Sequence, residues 1–483
     1  MKLIIENCHS WLQTDNKDIK ADLWKKLRFR DKNYFHNSMY KRKLWDGFKN
    51  FFDKDTGKFL TGLLPEVQAY LEHHNITPEI TDCRNNVKWL YSKVDQDFLN
   101  KWVHVFNGNA PEEEQKKNFT LRDYQPELTN SVIENGRGII TAPTSAGKSA
   151  VMITLVKALP PTTPVLILSH RSNLSHTCYT EMGWWGVQNL GRLYNKFRDP
   201  NIVTVANWQS VHLIKNLLPK FRVLIVDEIH DMMSAGPKKI YAKMDSACVR
   251  VAVSATPFKD DGKDKVQKYS VKGFFGPILK IKSAGEGGVL TTKKLQDRNI
   301  LSKDRCTFFP IRYPQLPYAI YGDAVTQGIA ENWEFHKIVQ RLCATLKGRT
   351  LILVERLAHG DYLQNLMPHA LWVRGKDNLQ TREEVIQKLK RSPDDTIAIA
   401  TQGIFNAGIN VFVHNLINAA GAKAAHQIIQ RIGRGLRTAD DKEILNYYDW
   451  IFEINDYLLD HSNRRVKILK DEGHEVIIKE IDF

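Results

Sequence analysis

Short apolar runs punctuate this chain, and each ends abruptly in polar or small residues. After residue 118 they fall at Gly138–Ile140, Val165–Leu168, Val203–Val205, Val223–Val226 and Val249–Val253. Runs this short, without apolar–polar alternation, predict strands buried on both faces, as in a parallel sheet with helices above and below. The pattern returns at Thr350–Val354, Leu371–Val373, Thr396–Ala400 and Asn415–Ala419, with a helix expected over Thr381–Leu389. Strands at this spacing predict an α/β fold with two parallel-sheet domains in tandem. The polar endings would then share one sheet edge, the carboxyl edge, where open α/β sheets bind ligands.

The first 117 residues read differently. LWDGFKNFFDKDTGKFLTGLL predicts a hairpin with Asp55, Thr56 and Gly57 in its turn, and Glu66–His74 predicts a helix. We expect a small α+β accessory domain over 1–117, with Pro111–Asn118 as linker, a first α/β domain over 118–284, a connection over 285–320 and a second α/β domain over 321–483. The tail predicts a basic helix, a stop at Gly473 and a closing strand.

Composition narrows the class. With 42% hydrophobic and 25% charged residues, the 483-residue chain has the make-up of an ordinary globular protein. Its net charge of +15 and pI near 9.3 favour a polyanionic partner. Between Lys17 and Lys49 stand eleven Lys/Arg against four acids, interleaved with Trp24, Phe29, Tyr34, Phe35, Tyr40, Trp45 and Phe48. Cations beside stacking rings suit nucleic acid, and a solvated basic face over an aromatic core reads equally well. The same two readings, a DNA path or a solvated face, apply to Lys259–Arg312, where thirteen basic residues meet six acidic ones. The six cysteines are scattered without a C-x-x-C pair, against a zinc ribbon or disulfide framework. The opening MKLIIENCHSW does not read as a signal peptide, and no run approaches the roughly 18 apolar residues of a membrane span. A cytoplasmic protein is expected, in the host cytoplasm if phage-encoded.

The sharpest candidate chemistry lies in Ala142, Pro143, Thr144, Ser145, Ala146, Gly147, Lys148 and Ser149. This phosphate-loop pattern follows a strand and opens an apolar helix, with Ala142 where the strict pattern has Gly. Small residues let backbone N–H groups approach phosphate at a helix N-terminus, Lys148 would neutralise the β/γ-phosphates, and the Ser149 hydroxyl would ligate Mg²⁺. Asp227 and Glu228, emerging from the Val223–Val226 run, form an acidic pair suited to nucleotide-bound Mg²⁺.

Gln125, APTSAGKS, Asp227-Glu228-Ile229-His230 and Ser254-Ala255-Thr256, in this order, resemble the first motor domain of superfamily 2 helicases and translocases. The resemblance implies RecA-like domains, with Gln125 reading adenine, Asp227 holding Mg²⁺ and Glu228 activating the attacking water. It implies that His230, Ser254 and Thr256 link ATP state to the nucleic-acid site, and that Arg171, Gln209 and Thr401 fall in segments near the nucleic acid. TQGIFNAGIN and QRIGRGLR resemble the second domain's motifs, which places Gly408, Asn410 and Gln430 at the nucleotide and makes Arg434 and Arg437 arginine fingers. By themselves, three arginines at i, i+3 and i+6 describe a basic helix. DEIH, GIN, QRIGRGLR and the leading LWDG and GLL are similar to the UvsW branch-migration helicases of tailed phages. This implies an ATP- and Mg²⁺-dependent DNA enzyme that remodels Holliday junctions, forks and R-loops with 3′→5′ polarity, in recombination, repair and replication restart. A monomer is expected, with recombination or single-strand-binding proteins as candidate partners. The rivals are an RNA helicase or RNA-dependent ATPase, a nucleotide-gated clamp without turnover, and a motor subunit of a nuclease or restriction complex.

Overall fold

The chain begins with an antiparallel pair, β1 (Lys2–Ile5) and β2 (His9–Gln13), in which alternate residues are buried. β3 (Arg28–Arg30), β4 (Phe48–Asn50), β5 (Lys58–Leu60) and β6 (Glu79–Asp82) follow. They form a four-stranded sheet, β5-β2-β1-β6, and a separate β3-β4 pair. Helix Lys17–Lys26, capped by the Asn16 side chain, and helix Leu64–His73 close its core around Leu3, Leu12, Leu23, Phe59 and Leu63.

The expected hairpin is only partly realised. Its turn forms, with Gly57 N–H donating to Asp53 O at 2.8 Å and Phe52 bridging Phe59, but the flanking strands part. β4 pairs with β3, and β5 with β2. Gly57 O accepts the Leu12 N–H, and a Cβ on Gly57 would lie 2.1 Å from Leu12 O, so close backbone contact draws β5 toward β2.

This computed structural model describes all residues except 259–261, 375–376, 378–383, 386–387, 390–394, 402–412, 422–443, 472 and 483. Two units emerge: Met1–Ala142 with Gly147–Val289, and Leu290–Phe483 with Pro143–Ala146. In the first, β7 (Arg137–Thr141), β8 (Val165–Ser169), β9 (Leu190–Leu193), β10 (Val203–Asn207), β11 (Val223–Asp227) and β12 (Val249–Ser254) form a parallel sheet ordered β7-β12-β11-β8-β10-β9. Five coincide with predicted runs; β9 was not predicted. Arg250, near the start of β12, is fully buried, and its guanidinium donates to the carbonyls of Ala247, Tyr241 and Met244. Helix Lys265–Phe275 carries the leading region against this sheet. A Cβ on Gly62 would lie 2.0 Å from Lys272 O, and one on Gly273 would lie 2.7 Å from a Leu60 methyl. Glu66 pairs with Lys272 at 2.7 Å, and Asn7 Nδ2 donates to Asp245 O at 2.9 Å.

The second unit contains β13 (Lys303–Ile311), β14 (Thr350–Val354), β15 (Leu371–Val373), β16 (Ile397–Thr401), β17 (Asn415–Asn418), β18 (Ile444–Phe452) and β19 (Glu475–Ile478). Its parallel sheet is ordered β15-β16-β14-β17-β18-β13-β19. β13 lies within the stretch expected to be a connection, yet it is paired along its whole length to β18. β18, also unpredicted, carries the buried Asp449, which pairs with the fully buried Arg465 at 2.9 Å. Helix Asp456–Asp471, Gly473 and β19 form the tail as expected. The predicted Thr381–Leu389 helix lies largely outside the described residues. Among the described residues, no helix is long and apolar enough to cross a membrane.

Candidate active site

Five strands of the first sheet end in register at one edge. Ser254 stands opposite Thr141, Asp227 opposite Val253, and Asn207 opposite Ser169. This edge brings together residues far apart in sequence. The helix Lys148–Lys157 starts directly after Gly147, whose φ of +80° is a left-handed conformation that glycine adopts without strain. A Cβ there would also approach Gln125 Nε2 to 2.3 Å. Gln125 is buried; its Nε2 donates to Gly147 O at 3.2 Å, and its Oε1 accepts the Arg122 N–H at 2.9 Å. It therefore fastens the turn that delivers Lys148 and Ser149. In the loop itself, Pro143, Thr144 and Ala146 are buried, and Ser145 has φ +67°.

Glu228 is the hub. Lys148 Nζ donates to its Oε1 at 3.2 Å, and Ser254 Oγ donates to its Oε2 at 3.3 Å. His230 Nδ1 lies 3.4 Å from the same Oε2 and 2.9 Å from Ser254 Oγ. Ser254 Oγ also accepts the Thr256 N–H at 3.2 Å, so the DEIH and SAT segments share one hydrogen-bond network. Glu228 has φ +50°, a left-handed backbone that costs a residue with a Cβ on the order of 1 kcal/mol or more. Asp227 Oδ1 accepts the Glu228 N–H at 3.0 Å, and Glu228 O accepts the Asp231 N–H at 3.0 Å. These bonds clamp the turn that carries the strain.

The site's composition fits a nucleotide and its divalent cation. Asp227, Glu228 and Ser149 offer the hard oxygen atoms that Mg²⁺ prefers. At the same edge, the Thr141 and Thr256 hydroxyls are buried with no hydrogen-bond partner among the described residues, unusual for polar atoms in a finished core.

The remaining expected residues are placed less completely. Arg171, half-buried, precedes helix Ser172–Trp184, and exposed Gln209 lies in the turn after β10. Both follow strands that end at the same edge. Thr401, buried, ends β16 in the second unit, opposite Val354. Gly408, Asn410, Gln430, Arg434 and Arg437 lie outside the described residues. Sequence reading missed Asn207, whose side chain accepts the Gln209 N–H and donates to His170 O, tying two strand-end loops together. Its position as the polar residue closing an apolar run was the available signal.

Residues 118–259 match the family described as "Type III restriction enzyme, res subunit". The chain is 22% identical over 504 residues to the ATP-dependent DNA helicase uvsW of Enterobacteria phage T4, a match covering 94% of each. It is 25% identical over 406 residues to the DNA 3'-5' translocase XPB2 of Sulfurisphaera tokodaii, covering 74% of this chain and 88% of that relative. In fold it is similar to S. cerevisiae Dbp5 bound to RNA and ADP BeF3, with a TM-score of 0.53, 15% identity and coverage of 80% of this chain and 93% of that one. Phosphate loop, clamped acidic pair and tandem parallel sheets agree with these likenesses: the chain is an ATP-dependent helicase, similar to the superfamily 2 DEXH-box enzymes that act on nucleic acid.

Proposed function

We propose that this helicase acts on DNA and uses ATP hydrolysis to unwind or branch-migrate branched structures such as Holliday junctions, forks and R-loops. The observation that carries this reading is the reach of the uvsW likeness. It spans 94% of both chains and so takes in the leading region as well as the motor.

In this reading the Pro143–Ser149 loop holds the phosphates and Gln125 the adenine, and the family resemblance adds Gly408, Asn410 and Gln430 to the nucleotide's contacts. Ser149 and Asp227 would hold Mg²⁺, which supplies charge neutralisation on the phosphate oxygens. Lys148, paired with Glu228 at 3.2 Å, exchanges that carboxylate for the β/γ-phosphates. Glu228, released on one oxygen and still held by Ser254 and His230 on the other, orients the attacking water and accepts its proton. By the family resemblance, Arg434 and Arg437 would stabilise the developing charge. His230, Ser254 and Thr256 report nucleotide state to the nucleic-acid surface, to which Arg171, Gln209 and Thr401 belong.

The test is ATP hydrolysis against single-stranded DNA, duplex DNA, a four-way junction, an R-loop and single-stranded RNA, each at two salt concentrations, because phosphate contacts are strongly salt-dependent. We expect the branched DNAs to stimulate most and the junction to dissolve with ATP. Stimulation by RNA alone would overturn the DNA assignment.

A further inference from the structure

Between β3 and β4 the chain makes a folded excursion, residues 31–47, that presents apolar side chains to solvent. Phe35 is 49% exposed, Met39 47% and Leu44 66%, values that isolated folding does not favour for side chains of this size. The segment is nonetheless well built. Asp31 N–H donates to Gly47 O, Leu44 N–H to Met39 O, and the Asn37 side chain accepts the Met39 N–H, each at 2.9 Å. Lys43 takes a left-handed φ of +57°, and Gly47, at φ +84°, lies so close to Tyr34 that a Cβ would sit 3.1 Å from it. Tyr34 meets Tyr40 edge-on with centroids 4.6 Å apart, and Trp45 Nε1 donates to Phe48 O.

Phe35, Leu44 and Trp45 line a cleft of about 800 Å³ with Tyr40, Lys41 and Lys43. Lys41, Arg42 and Lys43 are all exposed beside it. At its base, Arg28 lies 4.4 Å from the Trp24 ring and 4.0 Å from Phe48, while Phe29 packs against Tyr269 of helix Lys265–Phe275 with centroids 4.4 Å apart. The excursion is thus a stiff projection anchored to the first parallel sheet's own helix.

We propose that this projection is a stacking wedge for DNA: Phe35 and Leu44 meet the exposed face of the terminal base pair at a branch point, while Lys41, Arg42 and Lys43 hold the flanking phosphates. Charge complementarity and ring stacking together select this occupant, since an unpaired base-pair face is apolar and is always bordered by phosphate. The inference rests on the branched-DNA reading above and adds the element that meets the branch.

The experiment compares the full-length enzyme with Phe35→Ala/Leu44→Ala and with Phe35→Trp. Substrates are a forked duplex with 2-aminopurine at the terminal pair, the matching blunt duplex and single-stranded DNA. We expect the double variant to lose about tenfold in fork affinity, from the usual size of base–ring stacking, along with its 2-aminopurine response. Its single-strand-stimulated ATPase should stay within about twofold of wild type, and Phe35→Trp should retain the fork response, as a stacking role requires. Fork binding equal to wild type in the double variant would overturn the wedge, including the case in which the projection captures a protein. Equal losses on fork and single strand would also overturn it. If no nucleic acid stimulates the wild-type enzyme, the parent reading fails; a wild-type response to forks with an unaffected double variant refutes the wedge alone.

Discussion

Each unit holds a carboxylate bonded to an imidazole and to a hydroxyl or thiol, and the two clusters differ in what surrounds them. In the first unit, Glu228 Oε2 receives Ser254 Oγ at 3.3 Å and lies 3.4 Å from His230 Nδ1. In the second, Asp304 Oδ2 receives Cys306 Sγ at 3.2 Å and lies 2.8 Å from His474 Nδ1. The other oxygen of Glu228 faces a lysine on the phosphate loop, whereas that of Asp304 is held at 2.5 Å by the Gln296 amide, which also donates to Ser302 O. Glu228 sits on a strained turn at the sheet's carboxyl edge; Asp304 lies near the start of β13 and joins it to His474, which precedes β19. Residue type is therefore a poor guide to chemistry. The cluster proposed as active is the one whose carboxylate ends on a lysine of the phosphate loop, and the other is a rivet between strands.

The largest effect should fall on the first cluster. Glu228→Gln removes the proton acceptor proposed above and should lower kcat for nucleic-acid-stimulated ATP hydrolysis by about 10²–10⁴-fold, the usual worth of a positioned general base. Melting should stay near wild type, and retention of full activity would withdraw Glu228's role. The mirror substitution, Asp304→Asn, should leave kcat near wild type but cost about 1–3 kcal/mol of stability, because a buried hydrogen-bonded group loses its charged partner. Denaturant titration reads that loss, and an ATPase defect without a stability defect would erase the contrast between the clusters.

The pH dependence sharpens it. Burial pushes the Asp304 carboxyl up, but the His474, Gln296 and Cys306 hydrogen bonds outweigh burial and hold it below the usual carboxylate value. Its stabilising contribution is therefore complete above the unfolded carboxyl pKa of about 3.9 and fades as pH falls through the lower folded value. The stability gap between wild type and Asp304→Asn should accordingly narrow on acidification below that point. Smallest of all should be the chemistry of Cys306. Burial first, then the Asp304 charge, drive its thiol far above the usual range. Native protein should leave Cys306 unalkylated by iodoacetamide at neutral pH while the exposed Cys83 reacts.

The same contrast accounts for what could be read from the amino-acid order. The first sheet was legible because its central strands are apolar on both faces and end in loop residues of recognisable chemistry. β9 escaped because Gly191 and Arg192 interrupt a four-residue edge strand. β13 and β18 escaped for a related reason: Asp304 and Asp449 break their apolar pattern, and only the structure supplies the partners, His474 and Arg465, that let them be buried. Lys148, Asp227 and Glu228 were singled out from local pattern, and His230 from the family resemblance. That Gln125 would fasten the Gly147 turn, or that Ser254 would bridge Glu228 and His230, depends on strand order, which local pattern does not encode.

The glycine joint between the leading region and helix Lys265–Phe275 bears on how this protein could be inherited or engineered. With Gly62 seated against Lys272 O and Gly273 against Leu60, neither surface tolerates an added methyl group without displacing backbone or side chain. The leading region is therefore not a detachable cassette. A chimera that exchanged it between relatives would have to carry that helix along, so the two pieces are bound to diverge as one unit of descent.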